Sequence, residues 1–380
     1  MNRLEAAKIT CIADVRLTAR LEAEADRMGL LETYSERGKQ VARKSRPAWM
    51  PFARRAALLE APSDILRLYV PRRLERTAMA RLAAAADLFL PGRGSLFAED
   101  VVLAGEHLHP WEEDRLAADA PDWAADGRMD PAPYDLVFCI VQRGRGEDLA
   151  RAMLEMGLCV PIVSYGEGMG MRDRLGLLRI TISPEKEILW FLMPPGDSNF
   201  AVDVAVRKAG LHEPGRGFLG RIPVRALAVN SRMVLDRRRH VATMEQVIST
   251  LDQLRGSTEW RRMSAARRDR PPRSDTAGGM LRLTLVCEEG ASGDPVRAAF
   301  DAGAGGATLS RLSRRAPSLR DAGEEATLVS NARECCDIIL PAVRADRIEA
   351  AVAASGLFRE PARGFIEIGS IHDAITYRGG

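Results

Sequence analysis

Apolar positions along this chain switch between a strand-like and a helix-like period, and the same sequence of switches occurs three times. In each copy a short apolar run ends in a proline, a helical pattern of apolar residues follows, and a turn with the sequence Pro-(Gly/Ala)-Arg-Gly comes next. We refer to this four-residue turn as the glycine core. The three glycine cores occupy residues 91–94, 214–217 and 361–364. In every copy 23 residues separate the proline that ends the strand from the last glycine of the core, which indicates an internal repeat.

Each copy begins with a further strand and helix. Apolar runs at residues 7–15, 134–142 and 281–289 predict the first strands, and small-residue stops at Gly29, Gly157 and Gly303 predict the ends of the helices that follow. A third strand comes next in each copy. The order of elements is therefore β-α-β-β-α-β three times, which predicts an α+β fold of three ferredoxin-like units.

The predicted domain boundaries follow this repeat. The three units span residues 6–105, 132–228 and 279–377, and residues 106–131 form a linker rich in acid, proline and tryptophan. Residues 229–278 contain an extra helix followed by an arginine-rich linker. The extra helix is indicated by apolar residues at helical spacing. They are Val241, Met244, Val247, Ile248, Leu251 and Leu254.

Composition narrows the possible classes of protein. The chain has 380 residues, a net charge of only +3 and six cysteines without metal-type spacing. These features predict a cytoplasmic protein with no nucleic-acid partner and no bound metal. His107 and His109 lack a third ligand nearby, so a metal site there is not expected. No apolar run approaches the roughly 20 residues of a membrane helix.

A basic stretch lies between the second and third strands of the first unit. Residues 37–56 hold seven Lys or Arg side chains, no acid, and aromatic residues at the middle. A connection this long is usually functional or disordered. One interpretation is an arm that docks on a partner, and the other is a mobile hairpin with incidental charge. The predicted partner-binding residues are Arg43, Lys44, Arg46, Trp49 and Phe52.

The corresponding connection in the second unit, residues 164–176, is rich in glycine. Gly166, Gly168 and Gly170 would allow the backbone to approach a phosphate closely. A tight loop without a ligand is the alternative, because the motif lacks the strand-then-helix context of a dinucleotide site.

The repeat resembles the PII nitrogen-regulatory family. Residues 37–40 (RGKQ) resemble the Gly-Arg-Gln at the base of that family's T-loop, and GRGSLFAEDVV after residue 91 resembles its glycine B-loop and the following strand. The resemblance covers about four-fifths of the chain at the level of pattern. It implies a signalling protein rather than an enzyme, with the three units closed into an intrachain pseudo-trimer. It also implies an adenine nucleotide (ATP, ADP or AMP) in clefts between units, and loop docking on a partner such as a membrane transporter or a metabolic enzyme.

The nucleotide-binding residues implied by this resemblance lie in the glycine cores, the glycine-rich connection and the start of the basic arm. They are Gly38, Gln40, Gly92, Arg93, Gly94, Gly166, Gly168, Gly170, Gly215, Arg216, Gly217, Arg363 and Gly364. The chain departs from the family in that Ser95, Phe218 and Phe365 stand where the B-loop lysine would be. The glycines favour a nucleotide sensor, whereas the missing lysines favour an adaptor that has lost its ligand. An enzyme is the weakest interpretation, because no catalytic constellation appears at usable spacing.

Overall fold

We describe the fold from a computed structural model. The described residues are 2–30, 32–43, 58–90, 92–106, 108, 111–122, 130–170, 184–230, 279–315 and 331–376. Within them, no helix is both long enough and apolar enough to cross a membrane.

The first third of the chain runs β1 (Asn2–Asp14), η1 (Val15–Leu17), α1 (Thr18–Arg27), β2 (Thr33–Arg43), β3 (Leu58–Val70), η2 (Arg72–Leu74), α2 (Glu75–Ala86) and β4 (Gly94–Gly105), and α3 (Glu113–Ala117) follows it. The second third runs β5 (Ala132–Gln142), α4 (Gly146–Glu155), β6 (Ile162–Met169), β7 (Glu185–Met193), α5 (Pro195–Ala209) and β8 (Gly217–Ala228). The last third runs β9 (Met280–Glu288), α6 (Gly293–Asp301), β10 (Ala307–Arg314), β11 (Ala332–Pro341), η3 (Ala342–Arg344), α7 (Ala345–Ala354), β12 (Phe365–Ile371) and β13 (Asp373–Thr376).

The predicted order of elements is confirmed, including the glycine stops. Gly29, Gly157 and Gly303 follow the first helix of each third with φ values of 72°, 67° and 105°. Only glycine adopts this left-handed region without strain, so these residues end the helices as the sequence predicts.

The predicted architecture is wrong. The strands do not form three ferredoxin-like α+β units arranged as an intrachain pseudo-trimer. They form one 13-stranded sheet in the order β10-β11-β9-β12-β4-β1-β3-β2-β6-β7-β5-β8-β13, and additional pairings of β10 with β2 and β6 and of β4 with β8 close it. The result is a closed ten-stranded antiparallel β-barrel with three extra strands.

The closure depends on pairing between strands that are distant in sequence. Ala104 of β4 pairs with Ile366 of β12, and Arg314 of β10 pairs with Tyr34 of β2. An edge strand offers unpaired N–H and C=O groups, and pairing the edges of different thirds satisfies them. The alternation of apolar residues records which face of a strand is buried but not which strand lies beside it, so the sequence pattern did not reveal the closure.

The two faces of the sheet have different cores. On the outer face, alternate side chains such as Ile9 and Cys11 pack under the helices, and each third has its own apolar cluster there. On the other face, large apolar side chains such as Phe97 and Trp190 form a further cluster.

A network of buried charges lies on the same face of the sheet as the cluster that contains Phe97 and Trp190. Lys8 Nζ lies 2.7 Å from Glu99 Oε1 and 2.6 Å from Glu367 Oε1, and Arg282 Nη2 lies 2.8 Å from both Glu99 Oε2 and Glu367 Oε1. Tyr69 donates its hydroxyl hydrogen to Glu367 Oε2 at 2.7 Å. Two cations thus balance two carboxylates, which is the condition under which charges can be buried at all.

Two predictions about the connections are corrected. Residues 106–131, predicted as a linker, contain helix α3, whose Leu116 is fully buried in the first outer cluster. Of the glycine-rich stretch predicted as a loop, residues 164–169 belong to strand β6, and residues 171–176 lie outside the described residues. The extra helix predicted at residues 241–256 lies outside the described residues, as do His107 and His109.

Candidate functional site

A cleft lined by three arginines lies where the first and last thirds of the chain meet. Its volume is about 380 Å³. The lining side chains come from the start of β2, the segment after β4 and the last third of the chain. They are Glu32, Tyr34, Leu108, Val286, Arg314, Arg333, Glu360, Arg363, Gly364 and Phe365. We call this the arginine cleft.

The sheet brings the three arginines together from separate places. Arg314 ends β10 and Arg333 lies near the start of β11, and the antiparallel pairing of these strands places the two residues near the same end of the hairpin. Arg363 lies in the third glycine core, two residues before the start of β12. The pairing of Arg314 with Tyr34 then brings the start of β2 to the cleft.

Each of the three guanidinium groups has a carboxylate partner. Arg314 Nη2 lies 2.8 Å from Glu32 Oε1, Arg333 Nη1 lies 2.5 Å from Glu288 Oε2, and Arg363 pairs with Glu360. The Arg333 side chain is only 4% exposed, whereas that of Arg363 is 47% exposed. Arg363 is therefore the arginine most accessible from solvent.

Two aromatic rings line the cleft beside these charges. The Tyr34 and Phe365 ring centroids lie 6.0 Å apart. Burial and the nearby Glu32 carboxylate raise the pKa of Tyr34 well above its ordinary value, so its hydroxyl stays protonated and donates to Glu32. The cleft can thus offer cationic groups together with apolar ring faces.

One donor on the cleft wall has no partner. Arg314 Nε is buried and makes no hydrogen bond in the described structure. A buried N–H without an acceptor costs roughly 1–3 kcal/mol, and a ligand oxygen would satisfy it.

The third glycine core, which lines the same cleft, has an unusual backbone conformation. Arg363 has φ 41°, a left-handed value that is uncommon for a residue with a side chain. In the first two cores the left-handed residue is the glycine one position earlier, Gly92 (φ 79°) or Gly215 (φ 71°). Ala362 occupies that position in the third core, and the left-handed conformation moves to Arg363.

The last glycine of each core has a structural role. A Cβ atom would lie 2.3 Å from the carbonyl oxygen of Ile12 at Gly94, 2.1 Å from that of Ile140 at Gly217, and 2.5 Å from that of Val286 at Gly364. Real Cβ atoms do not approach so closely. Close approach of neighbouring strands therefore accounts for these three glycines without any phosphate.

In the predicted nucleotide site around Gln40, the Gln40 side chain is hydrogen-bonded to another side chain of the protein, that of Asn230. Gln40 is buried, and its Oε1 accepts a hydrogen bond of 2.5 Å from Asn230 Nδ2, while the Asn230 backbone N–H donates to Ser95 Oγ at 2.9 Å. Asn230 thus connects β2 to the start of β4, immediately after the first glycine core. The pKa of Asp14 is lowered mainly by the hydrogen bond from the Arg16 side chain. The positive charge of Arg93, in the first glycine core, lowers it further by a smaller amount.

The remaining predicted glycines lie against backbone or side chains of neighbouring strands. A Cβ atom at Gly166 would lie 2.7 Å from the Leu309 carbonyl oxygen, and one at Gly38 would lie 3.0 Å from that of Val163. Gly168 pairs with Thr308 of β10, and Gly170 faces the Phe300 ring. Arg216 forms an ion pair with Glu213 at 2.5 Å.

Of the predicted nucleotide-binding residues, only Arg363 and Gly364 line the arginine cleft. Of the predicted partner-binding residues, Arg43 ends β2 with its backbone paired to Leu58. Lys44, Arg46, Trp49 and Phe52 lie outside the described residues.

Sequence reasoning missed Arg314, Arg333, Glu32 and Tyr34. The sequence shows that the connection near Arg314 begins with basic residues. Arg333 lies much further along the chain, and only the register of the β10–β11 hairpin places the two arginines close together. The signal that could have found the two arginines is the presence of an arginine near each end of the β10–β11 connection, whereas no sequence signal joins Glu32 and Tyr34 to them.

Comparison with known proteins finds no matching family model and no matching curated protein. The resemblance to the PII family therefore remains a prediction. Nitrogen regulation and nucleotide binding, as attributes of this protein, find no support in the comparisons or in the closed sheet.

Proposed function

We propose that this protein is a regulatory protein that binds a small anionic molecule in the arginine cleft. The observation that carries the proposal is the convergence of Arg314, Arg333 and Arg363 on one cavity of about 380 Å³. That volume lies within the usual range of small-molecule sites. Guanidinium groups bind carboxylate and phosphate oxygens through paired hydrogen bonds, so the ligand class is an organic phosphate or polycarboxylate.

An anionic ligand can replace a carboxylate that pairs with an arginine inside the cleft. Glu360 is 73% exposed and pairs with Arg363 only three residues along the chain, so this contact contributes little stability. An incoming anion would replace Glu360 at Arg363 and supply an acceptor for Arg314 Nε, which has no hydrogen-bond partner. The Tyr34 and Phe365 rings would contact an apolar or planar part of the same ligand.

Occupation of this cleft would couple the two ends of the chain. Glu32 and Tyr34 belong to the first third and the arginines to the last, so a bound anion would strengthen contacts across the β2–β10 seam. We propose that this change is transmitted to a partner protein through the basic segment between β2 and β3, which stays a prediction from sequence.

A reducing compartment such as the cytoplasm is supported by six cysteines that are all unpaired.

A second candidate is an adaptor that binds no small molecule. It is favoured by the carboxylate partner already present at each guanidinium, because a cleft that satisfies its own charges has no need of a ligand.

Calorimetric titration with inorganic pyrophosphate, citrate, AMP, ADP and ATP distinguishes the two candidates. The informative variant is Arg363→Gly, since glycine suits the left-handed backbone at this position and the fold should persist. We expect it to weaken binding of the tightest probe by about ten- to hundredfold, the range for loss of a charge-assisted hydrogen bond. Arg297→Ala, on the exposed surface of α6, is the matched control and should bind like the wild type.

Two outcomes would contradict the proposal. If none of the five probes binds to the folded wild-type protein, the adaptor is the better candidate. If a probe binds but Arg363→Gly and Arg297→Ala reduce its affinity equally, the binding is general charge attraction rather than occupation of the cleft.

A further inference from the structure

Arg315 directly follows the cleft residue Arg314, and its side chain lies on the opposite face of the sheet. Successive side chains of a strand alternate between the two faces. Arg314 lines the arginine cleft and pairs with Glu32. Arg315 instead contacts helix α1 on the outer face. Two neighbouring residues of one strand end therefore supply a cleft arginine and an arginine that is bound to a helix.

Two carboxylates of α1 bind the Arg315 guanidinium. Arg315 Nε donates to Asp26 Oδ1 at 2.9 Å, Nη2 donates to Asp26 Oδ2 at 2.7 Å, and Nη1 donates to Glu22 Oε2 at 2.5 Å. Glu22 and Asp26 are four residues apart, so they lie on the same face of the helix. Every nitrogen of the guanidinium thus has a charged acceptor, and only 26% of the side chain is exposed. We call these contacts the Arg315 clamp.

The backbone of Arg315 also joins the last third of the chain to the first. Its N–H donates to the Thr33 carbonyl oxygen at 2.9 Å, one step beyond the Arg314–Tyr34 pair. The ladder between β10 and β2 is otherwise only two residue pairs long, whereas β2 pairs with β3 along its whole length. So short a ladder gives the end of β10 little support, and the Arg315 clamp is the side-chain contact that holds this end against α1.

Arg314 depends on this support more than the other buried arginine of the cleft does. Arg333 lies within the paired part of β11, and its side chain is only 4% exposed. Arg314 is the last residue of β10, and its side chain is 28% exposed. Its Nε has no hydrogen-bond partner. The position of the Arg314 guanidinium therefore follows the position of the strand end.

We propose that Arg315 is a positioning residue for the arginine cleft: its clamp on Asp26 and Glu22 sets where the Arg314 guanidinium lies. This proposal rests on the proposed function, and it names the residue through which α1 controls the affinity for the anion. Binding sites hold their functional groups within about 0.5 Å through supporting contacts of this kind. Arg315 does not touch the ligand, so its whole effect passes through Arg314.

Calorimetric titration of the full chain with inorganic pyrophosphate tests the effect on affinity. We expect Arg315→Gln to bind about five- to tenfold more weakly than the wild type, because the cleft keeps its arginines but loses the placement of one. Arg315→Lys, which keeps a charge for one carboxylate, should recover part of the loss. Arg20→Ala is the matched control and should bind like the wild type, since Arg20 is 50% exposed on the same helix and pairs with Asp87.

Two further measurements separate positioning from a general structural role. In an Arg314→Gln background, Arg315→Gln should cause no additional loss of affinity, because Arg315 acts through Arg314. In the ligand-free protein, ¹⁵N NMR should show about tenfold faster solvent exchange of the Arg314 Nε–H in Arg315→Gln, because the strand end is released. Arg20→Ala should leave that exchange rate unchanged.

Each contrary result has a distinct meaning. Equal affinity of Arg315→Gln and a wild type that binds would overturn the positioning role, as would a further loss in the Arg314→Gln background. A wild type that does not bind pyrophosphate counts against the proposed function, and the ligand-free NMR comparison then decides the positioning role: an unchanged Arg314 exchange rate overturns it. Thermal unfolding shows whether each variant is folded. If Arg315→Gln unfolds, Asp26→Asn, which keeps the arginine, takes its place in every comparison.

Discussion

At the scale of single residues, the glycine cores show how one sequence signal can have two physical causes. Glycines before a strand suggest phosphate binding, but Gly94, Gly217 and Gly364 are required because the neighbouring strand's carbonyl oxygen occupies the space of a Cβ atom. The sequence shows the repeated glycines, whereas the strand contact that requires them appears only in the structure.

Gly217→Ala tests the structural reason. The new Cβ would lie 2.1 Å from the Ile140 carbonyl oxygen, and φ is 146°, so we expect the free energy of unfolding to fall by roughly 3 kcal/mol or more. Gly196→Ala, where no atom lies within 4 Å of the new Cβ, is the control and should leave stability unchanged or slightly higher. Urea unfolding of both variants is the measurement. Equal stability of the two variants would show that the strand contact at Gly217 is absent.

Glu367 should make stability depend on acid pH. Burial alone would raise the pKa of this carboxyl, but Lys8, Arg282 and the hydrogen bonds from Lys8 and Tyr69 outweigh burial and lower it from 4.5 to about 2. The unfolded chain therefore binds more protons than the folded chain between these values. The stabilisation is fully present above about pH 4.5 and is lost as the pH falls toward about 2.

The expected size of this effect is about 3 kcal/mol, following from the shift in pKa. Glu367→Gln should lower the free energy of unfolding by a similar amount at neutral pH and flatten its pH dependence below about pH 4.5. Glu147→Gln, at an exposed position of α4, should keep the wild-type profile. A Glu367→Gln profile as steep as that of the wild type would assign the acid sensitivity to other carboxyl groups.

At the scale of elements, the periods of the apolar pattern predicted most helices and strands in their correct order. They failed where tertiary contacts decide. The stretch that becomes β6 contains two glycines, Gly166 and Gly168, and reads as a loop, yet pairing with β7 on one side and with β2 and β10 on the other holds it as a strand. Helix α3 has only five residues, too few for a helical period to appear, and it depends on packing of Leu116 and on Arg81.

The dependence of α3 on Arg81 can be measured. Arg81→Val leaves Arg27 on Glu24 Oε2 but removes the donor to Glu24 Oε1 and to three carbonyl groups, so we expect a loss of about 3–5 kcal/mol in the free energy of unfolding. The double variant Arg81→Val with Glu24→Ala removes both members of this pair. It should be less destabilised than Arg81→Val alone, because no buried carboxylate oxygen is left without its donor. A double variant that is less stable than Arg81→Val would contradict the account of this pair.

At the scale of the whole molecule, the sequence showed the internal repeat but not the closed sheet. Each third contains enough strands for a sheet of its own, and nothing in the period of its apolar residues shows that its edges pair with the other thirds. The arginine cleft is a consequence of this closure, since β10 of the last third pairs with β2 of the first. Arg363 and Gly364 were predicted because they belong to the repeated core, whereas Glu32 and Tyr34 join the cleft only through the seam.

The central claim is that the arginine cleft binds an anion and that the unpartnered N–H of Arg314 receives it. The most direct measurement is ¹⁵N NMR of the arginine Nε–H groups during titration with inorganic pyrophosphate, with the Arg314 signal identified by its loss in Arg314→Lys. We predict that the Arg314 signal shifts to saturation while that of Arg282, whose Nε is also buried without a partner but lies in the central charge network, does not move. A titration in which the Arg314 signal stays in place, or in which both signals move together, would contradict the claim.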